Sequence, residues 1–474
     1  MASELKTFSQ GGIHVDDRKY SHESPIEKLP ASKLLVIPTS QHIGAPAKVV
    51  VAKDQAVKIG QIIAEKAGFI SANIVSPASG VVKAIEARMS PTGFKQECIV
   101  IENDMKDEYF EAVTDIAPSP EAIEKYDPAS AVKQVEKAGI VGMGGAAFPT
   151  SVKLSPPPDT KIDTIILNGV ECEPYLTADA RIMIEDADKI AAGLALIMKI
   201  FSKNGPVKGY IGIEANKPDS IQKMSEAAAK YKDIQVVSLA LKYPQGGEKQ
   251  LINAITGRSV PSGKLPGSVG CVVQNVATAA AIFDAAVNNK PLIERVVTVT
   301  GLGVKTPKNL LVRFGVMFTE LIDYCGGITE DAAMLICGGP MMGKALQTSE
   351  VPVTKAVSGI LVLNHSEANL YEEAPCIRCG RCVDVCPMGL QPGMINKVIE
   401  AGEYEKLEEL AIMDCIECGS CNYICAGHER LVQKIKIGKI KLQEILKARK
   451  EKEAREKAKA ETKAAPQDKP GESK

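Results

Sequence analysis

Eight of the 13 cysteines in this 474-residue chain stand in two short runs near the C-terminus. The first is Cys376, Cys379, Cys382 and Cys386; the second is Cys415, Cys418, Cys421 and Cys425. Each run is spaced C-x2-C-x2-C-x3-C, the spacing that holds paired [4Fe-4S] cubes. Thiolates two residues apart can wrap one cube only where the backbone turns tightly, and Gly380 and Gly419 supply the freedom that turn needs. Zinc usually takes paired C-x2-C halves set well apart, and disulfide frameworks belong to secreted chains, so neither suits these runs. The chemistry this pattern serves is the passage of single electrons.

The quartets resemble those of bacterial two-cluster ferredoxins, in which the fourth cysteine of each run ligates the other cluster. The resemblance assigns Cys376, Cys379, Cys382 and Cys425 to one cluster, and Cys415, Cys418, Cys421 and Cys386 to the second. Pro387 follows the first run as in that pattern, whereas Ala426 stands after the second. Residues 391–400 and 405–412, between the runs, have helical spacing, so the cluster domain is predicted to be helical.

A second constellation lies upstream. Asp127, Pro128 and Gly139 mark a short helix by their capping chemistry. After it, Gly142, Gly144 and Gly145 allow backbone amides to approach a ligand closely, with Phe148 and the cation of Lys153 following; that combination suits a phosphate. Residues 162–167 read as a buried strand running into Asn168, Glu171 and Glu173. A second strand, 234–241, ends in Tyr243, Gly246, Gly247 and Glu248. A third polar group, Gln274, Asn275 and Thr278, precedes an Ala-rich helix. Polar groups at the ends of such strands stand where open α/β sheets bind ligands.

Together these stretches resemble the flavin-binding subunit of respiratory complex I and its relatives. The resemblance implies that Gly142, Gly144 and Lys153 hold the phosphate of FMN, that Asn168, Gly246, Asn275 and Thr278 line the flavin, and that Phe148, Glu173 and Glu248 face NAD(H). Gly145, Glu171, Tyr243, Gly247 and Gln274 belong to the same candidate site. Ala147, Val170, Gly247 and Ala277 depart from that family's pattern.

The order of modules, from the N-terminus to about residue 440, is similar to the C subunits of Rnf-type ion-translocating NAD:ferredoxin oxidoreductases. The implied architecture is multidomain α/β. It has an N-terminal segment with a lipoyl/biotinyl-like barrel-sandwich (1–120), a Rossmann-like FMN- and NADH-binding domain (121–290), and a β-grasp module (291–365). A helical two-cluster ferredoxin domain (366–440) and a charged, solvated or disordered tail (441–474) complete it. The implied function is hydride exchange with NAD(H) at FMN and passage of single electrons through two [4Fe-4S] clusters, with no acid/base catalytic residue. Integral-membrane and ferredoxin-like subunits of one complex, and ferredoxin indirectly, are the implied partners. The complex would move Na+ or H+, with this chain peripheral on the cytoplasmic side of the bacterial plasma membrane. The rival readings are a soluble flavin and iron–sulfur cobalamin reductase of a microcompartment, and an electron-transfer module with no nucleotide site.

Composition bounds the rest. The net charge of -1 argues against nucleic acid as a partner, and 45% hydrophobic residues fit globular domains. Residues 1–12 lack the apolar core of a secretory leader, and no apolar run reaches the about 18 to 20 residues that span a bilayer. In the barrel segment, short apolar runs alternate with Gly and Pro. Its hairpin tip, 67–71, has no lysine at the place where carriers of the lipoyl family bear their cofactor.

Overall fold

The computed structural model describes residues 5–368 and 371–464, apart from the side chains of 204 and 458–464. Two compact units divide the chain, Met1–Leu370 and Tyr371–Lys474.

The larger unit begins with an extended segment and strand β1 (Ile26–Lys28), then forms a barrel-sandwich from two small sheets. β2 (Leu34–Pro38), β8 (Lys95–Asn103), β7 (Gly80–Met89) and β4 (Ala56–Val57) pair in that order, and β3 (Lys48–Val49), β5 (Ile62–Glu65) and β6 (Ile74–Val75) make the other sheet. Leu35, Ile37, Ile63, Ile74, Val82 and Ile101 fill the space between them. At the tip, Phe69 is exposed and Lys66 pairs with Glu136 at 2.6 Å.

Helices α1 (Pro120–Glu124), α2 (Pro128–Lys137) and α3 (Thr150–Lys153) lead into an open α/β sheet. As the sequence predicts, the Asp127 side chain accepts from Ser130 N at the start of α2, Pro128 is its first residue, and Gly139 takes φ +68° beyond its end. The sheet runs β11 (Ile234–Leu239), β10 (Lys208–Glu214), β9 (Thr164–Asn168), β12 (Cys271–Asn275), all parallel. Helices α4 (Ala178–Glu185) and α5 (Ala187–Phe201) follow β9; α6 (Pro218–Ala228), α7 (Glu248–Thr256) and α8 (Val276–Asn288) follow β10, β11 and β12. β9 is apolar and buried at Ile165, Ile166 and Leu167, as a parallel strand covered on both faces must be. Each such side chain contributes about 1.5–3 kcal/mol on burial. α5 and α8 approach so closely that a Cβ on Gly193 would stand 2.0 Å from Ala279 O, so only glycine fits there.

Since β10 continues the sheet on one side of β9 and β12 lies on the other, the strand order reverses between β9 and β12. Ligands of open α/β sheets bind outside the carboxyl ends at such a point.

The third layer is a six-stranded mixed sheet in the order β1, β14 (Lys308–Arg313), β13 (Glu294–Thr300), β17 (Gly359–Asn364), β15 (Ala332–Cys337), β16 (Lys344–Leu346), with α9 (Phe318–Tyr324) beside it. The N-terminal segment supplies its edge strand, through the parallel pairing of Ile26–Lys28 with Asn309–Leu311.

The smaller unit is helical: α10 (Arg381–Asp384), α11 (Pro392–Glu400), α12 (Ser420–Ile424) and α13 (Leu431–Ala464). Ile395, Ile399, Leu407, Ile412, Ile435 and Leu442 form its core. The charged stretch from residue 441 continues α13, which stays helical to Ala464, and most of its described side chains are exposed. Ala, Lys, Glu and Arg dominate that stretch, and their high helix propensity continues a helix already anchored at Leu442. Residues 465–474 lie outside the described residues. No described helix is long and apolar enough to cross a membrane.

Candidate functional site

The glycine-rich loop is tied at its base by Gly142 N donating to Phe148 O at 2.8 Å and by the Val141–Pro149 bridge. Gly144, Gly145 and Ala146 between them are exposed, and Gly145 has φ +106° with open space where a Cβ would stand. A Cβ on Gly144 would come within 3.3 Å of Asn275 Cβ, so the loop lies against the end of β12. Met143 N donates to Thr278 Oγ1 at 2.9 Å, which fixes the loop to the first turn of α8.

Asn275 is the N-cap of α8, its Oδ1 accepting from Ala277 N and Thr278 N, while its Nδ2 donates to Asp179 Oδ2 at 2.7 Å. Asn168, at the end of β9, donates through Nδ2 to Gly246 O at 2.8 Å, and Gly246 N donates to Cys172 Sγ at 3.3 Å. Tyr243 is buried and exchanges backbone hydrogen bonds with Ile13, which binds the N-terminal segment to the loop after β11. Gly247 is the N-cap of α7, and Glu248 opens that helix. Lys153 Nζ bonds Glu248 Oε1 at 2.7 Å and Val273 O at 2.9 Å. The structure therefore gathers the glycine loop, Lys153, Asn168, Gly246, Glu248, Asn275 and Thr278 at one sheet edge.

Two carboxylates of the candidate site are held by backbone amides. Glu173 is partly buried beneath the turn 339–342 and accepts from Met341 N at 3.0 Å and Met342 N at 2.8 Å. A Cβ on Gly339 would stand 2.3 Å from its Oε2. Burial pushes its pKa up to about 7, against the pull of those two amides and of Lys19. Glu171, at φ +45°, caps α4 by accepting from Asp179 N at 2.8 Å and Ala180 N at 3.1 Å. It also borders a polar cavity of about 380 Å³ lined by Asp17, Lys19, Asn216 and Lys217.

Several residues of the site carry no motif. Lys19 Nζ donates to the carbonyls of Glu171, Glu173 and Leu176, holding the loop after β9 from 150 or more positions away. Asp179, its pKa raised by burial and by the Glu171 charge, holds Asn275. Arg295 is the exception with a sequence signal: a charge inside the apolar strand run of β13 marks a buried cation that needs partners.

The residues fit a flavin phosphate. Exposed loop amides with an open cradle at Gly145, a cation at Lys153, and a buried Gln274 Nε2 with no hydrogen-bond partner among the described residues provide a donor-rich edge.

In the smaller unit Gly380 and Gly419 take φ +78° and +84°, each leading into a short helix, α10 and α12. Arg378 and Glu417, two residues before, match at φ +56° and +58°, so the two runs repeat one backbone path. Cys386, Cys415, Cys418 and Cys421 line one narrow cavity of about 20 Å³ together with Leu390, Ile395 and Val432. Burial raises the Cys421 thiol pKa most, and the charges of Cys418, Cys415 and Cys386 add to it. Burial likewise raises Cys382, with Cys425 and Cys376 as its cysteine neighbours. Cys376 and Cys379, by contrast, are exposed. Among the described residues no three His, Cys, Asp or Glu side chains converge on a single-ion site. Lys439 of α13 pins the second run by donating to Cys415 O at 2.6 Å and Glu417 Oε1 at 2.7 Å.

A parallel sheet with a flavin-type phosphate loop at its switch point, joined to a helical unit with two thiol quartets, defines a modular flavin and iron–sulfur electron-transfer protein. Family models match each module. Residues 6–106 match the RnfC barrel sandwich hybrid domain and 135–284 the Nuo51 FMN-binding domain; 296–345 match the SLBB domain and 368–426 the 4Fe-4S dicluster domain. The chain is 47% identical to the C subunit of the proton-translocating ferredoxin:NAD(+) oxidoreductase complex of Clostridium ljungdahlii, over 91% of this chain and 93% of that one. It is 43% identical to the C subunit of the Na(+)-translocating complex of Acetobacterium woodii, over 91% and 96%. With the C subunit of the ion-translocating oxidoreductase complex of Rhodobacter capsulatus it shares 40% over 93% and 84%. The chain belongs to the family of C subunits of ion-translocating ferredoxin:NAD(+) oxidoreductase complexes.

Proposed function

We propose that this chain is the subunit at which an ion-translocating ferredoxin:NAD(+) oxidoreductase complex exchanges electrons with NAD(H), using FMN and two [4Fe-4S] clusters. Lacking a described membrane-spanning helix, it acts as a peripheral subunit, on the cytoplasmic side, beside integral-membrane and ferredoxin-like partners. The observation that carries the reading is the convergence of Gly144, Asn275, Thr278, Asn168 and Gly246 at the reversal of strand order, in a chain that also holds two thiol quartets.

Flavin, when bound, links two-electron exchange with a nicotinamide to the one-electron steps of iron–sulfur clusters. The protein's part is binding and orientation. The amides of Gly144 and Gly145 and the ammonium of Lys153 hold the phosphate; Asn168, Gly246, Asn275 and Thr278 shape the flavin cavity. Phe148 and Glu248, both partly exposed at this edge, remain the residues proposed to face the nucleotide. Glu173 acts by bracing the turn 339–342, and reaches a nucleotide only if that turn lifts. Cys376, Cys379, Cys382 and Cys425 hold one cluster, and Cys415, Cys418, Cys421 and Cys386 the other.

The test is an anaerobic visible and EPR spectrum of the purified chain, with flavin and iron quantified, before and after NADH. Bleaching of a flavin band with reduction of the clusters is expected; a chain that holds flavin and iron yet ignores NADH rules out the nucleotide site.

A further inference from the structure

We infer that Arg295, in the β-grasp module, is a positioning residue for the phosphate-binding loop of the flavin domain. It stands in β13, 5% exposed, with all three guanidinium nitrogens committed to backbone carbonyls. Nε donates to Val296 O at 3.3 Å, Nη1 to Lys355 O, and Nη2 to Met143 O at 3.1 Å. Met143 lies between Gly142 and Gly144, and its own N–H is the one that donates to Thr278 Oγ1 at 2.9 Å. The peptide units on both sides of this residue are therefore fixed, one by α8 and one by a cation from another module.

The circuit closes through the flavin side chains. Thr278 N donates to Asn275 Oδ1 at 3.3 Å, and Asn275 Nδ2 donates to Asp179 Oδ2 at 2.7 Å. The Asp179 charge in turn acts on Arg295, partly offsetting the burial that draws its pKa down to about 10. A buried cation with a planar, rigid fork suits this place, because it must satisfy carbonyls lying in different directions at once. A lysine has the charge without the fork. By holding the Met143 carbonyl, Arg295 turns the following amides of Gly144 and Gly145 toward solvent, where an anion is met. The inference rests on the proposed reading of this loop as the phosphate cradle.

The reading makes Arg295 matter to the phosphate alone, which separates it from a general role in stability. The experiment titrates the flavin-free full chain with FMN and with riboflavin, which lacks the phosphate, following flavin fluorescence for wild type, Arg295→Lys and Arg295→Met. A melting curve for each variant checks the fold. Loss of one charge-assisted hydrogen bond to the loop should weaken FMN roughly tenfold in Arg295→Lys while leaving riboflavin unchanged. Arg295→Gln, which is uncharged but keeps an amide donor in reach of one carbonyl, should act in the same direction and keeps the inference open to refutation if the other two Arg295 variants fail to fold. Equal losses for the two flavins, or no loss for either, overturn the inference while the flavin site stands. A wild-type chain that binds neither flavin overturns the flavin reading and this inference with it.

Discussion

Asn168 and Asn275 are register partners, the last residues of the adjacent parallel strands β9 and β12. Their side chains do different work from that shared position. Asn168 reaches Gly246 O after β11, and Asn275 caps α8 and holds Asp179 beside α4. Two side-chain amides thus knit the loops after β9, β11 and β12 into one rim.

The Lys153–Glu248 contact sets up competition for the phosphate. Both side chains are about a third exposed, at 31% and 38%, so the pair itself is worth about 0–1 kcal/mol. Glu248→Gln should tighten FMN binding by roughly two- to fivefold with riboflavin unaffected, and Lys153→Ala should weaken FMN. Fluorescence titration reads both, and looser FMN binding in Glu248→Gln would refute this account.

Glu173 predicts a pH dependence. Its folded pKa, about 7, lies above the ordinary 4.5 because burial penalises its charged form. Its contribution to stability is therefore fully present below pH 4.5 and lost as pH rises through 7, amounting to about 3 kcal/mol. Melting temperatures of wild type should fall between pH 5 and pH 8 more steeply than those of Glu173→Gln. Parallel curves for the two proteins would show that the carboxyl titrates normally.

Lys355 carries the opposite sign. It is buried where three segments meet, with Nζ donating to Asn73 O at 2.9 Å and Gly139 O at 2.6 Å, and burial draws its pKa from 10.5 down to about 7. Stability from this group is present above pH 10.5 and lost as pH falls toward 7. Lys355→Met should flatten the rise in stability of wild type between pH 7 and 10. It should also lower stability by about 1–3 kcal/mol at pH 10, because two buried carbonyls lose their donor. A denaturant midpoint series measures both effects.

The two thiol sets differ in shelter. Cys376 and Cys379 are exposed, whereas Cys386, Cys418 and Cys421 are buried. Under air or a chelator the loaded chain should lose iron in two phases, about half of it quickly. Cys376→Ser should remove the fast phase and leave the slow one. A single phase in wild type, followed by iron assay and EPR, contradicts unequal burial.

Spacing alone fixed the cofactor chemistry, because a C-x2-C-x2-C-x3-C run with a glycine after its second cysteine admits few backbone paths, and both runs take the same one. Capping residues likewise marked α2, and the polar strand ends marked the rim of the sheet, since local hydrogen bonding and burial period act over a few residues. Long-range contacts lay beyond that reach. The sequence offers Glu173 as a residue facing a nucleotide, but the turn at 339–342, more than 160 positions on, closes over it. Lys19 and Lys355 look like free surface lysines, yet Lys355 is buried and Lys19 partly so, because backbone carbonyls from distant segments take up their ammonium groups. Which residues are chemically able to serve is written in side-chain type and spacing. Which of them stand free to do so was decided by packing, since only the assembled layers determine what each polar group must satisfy.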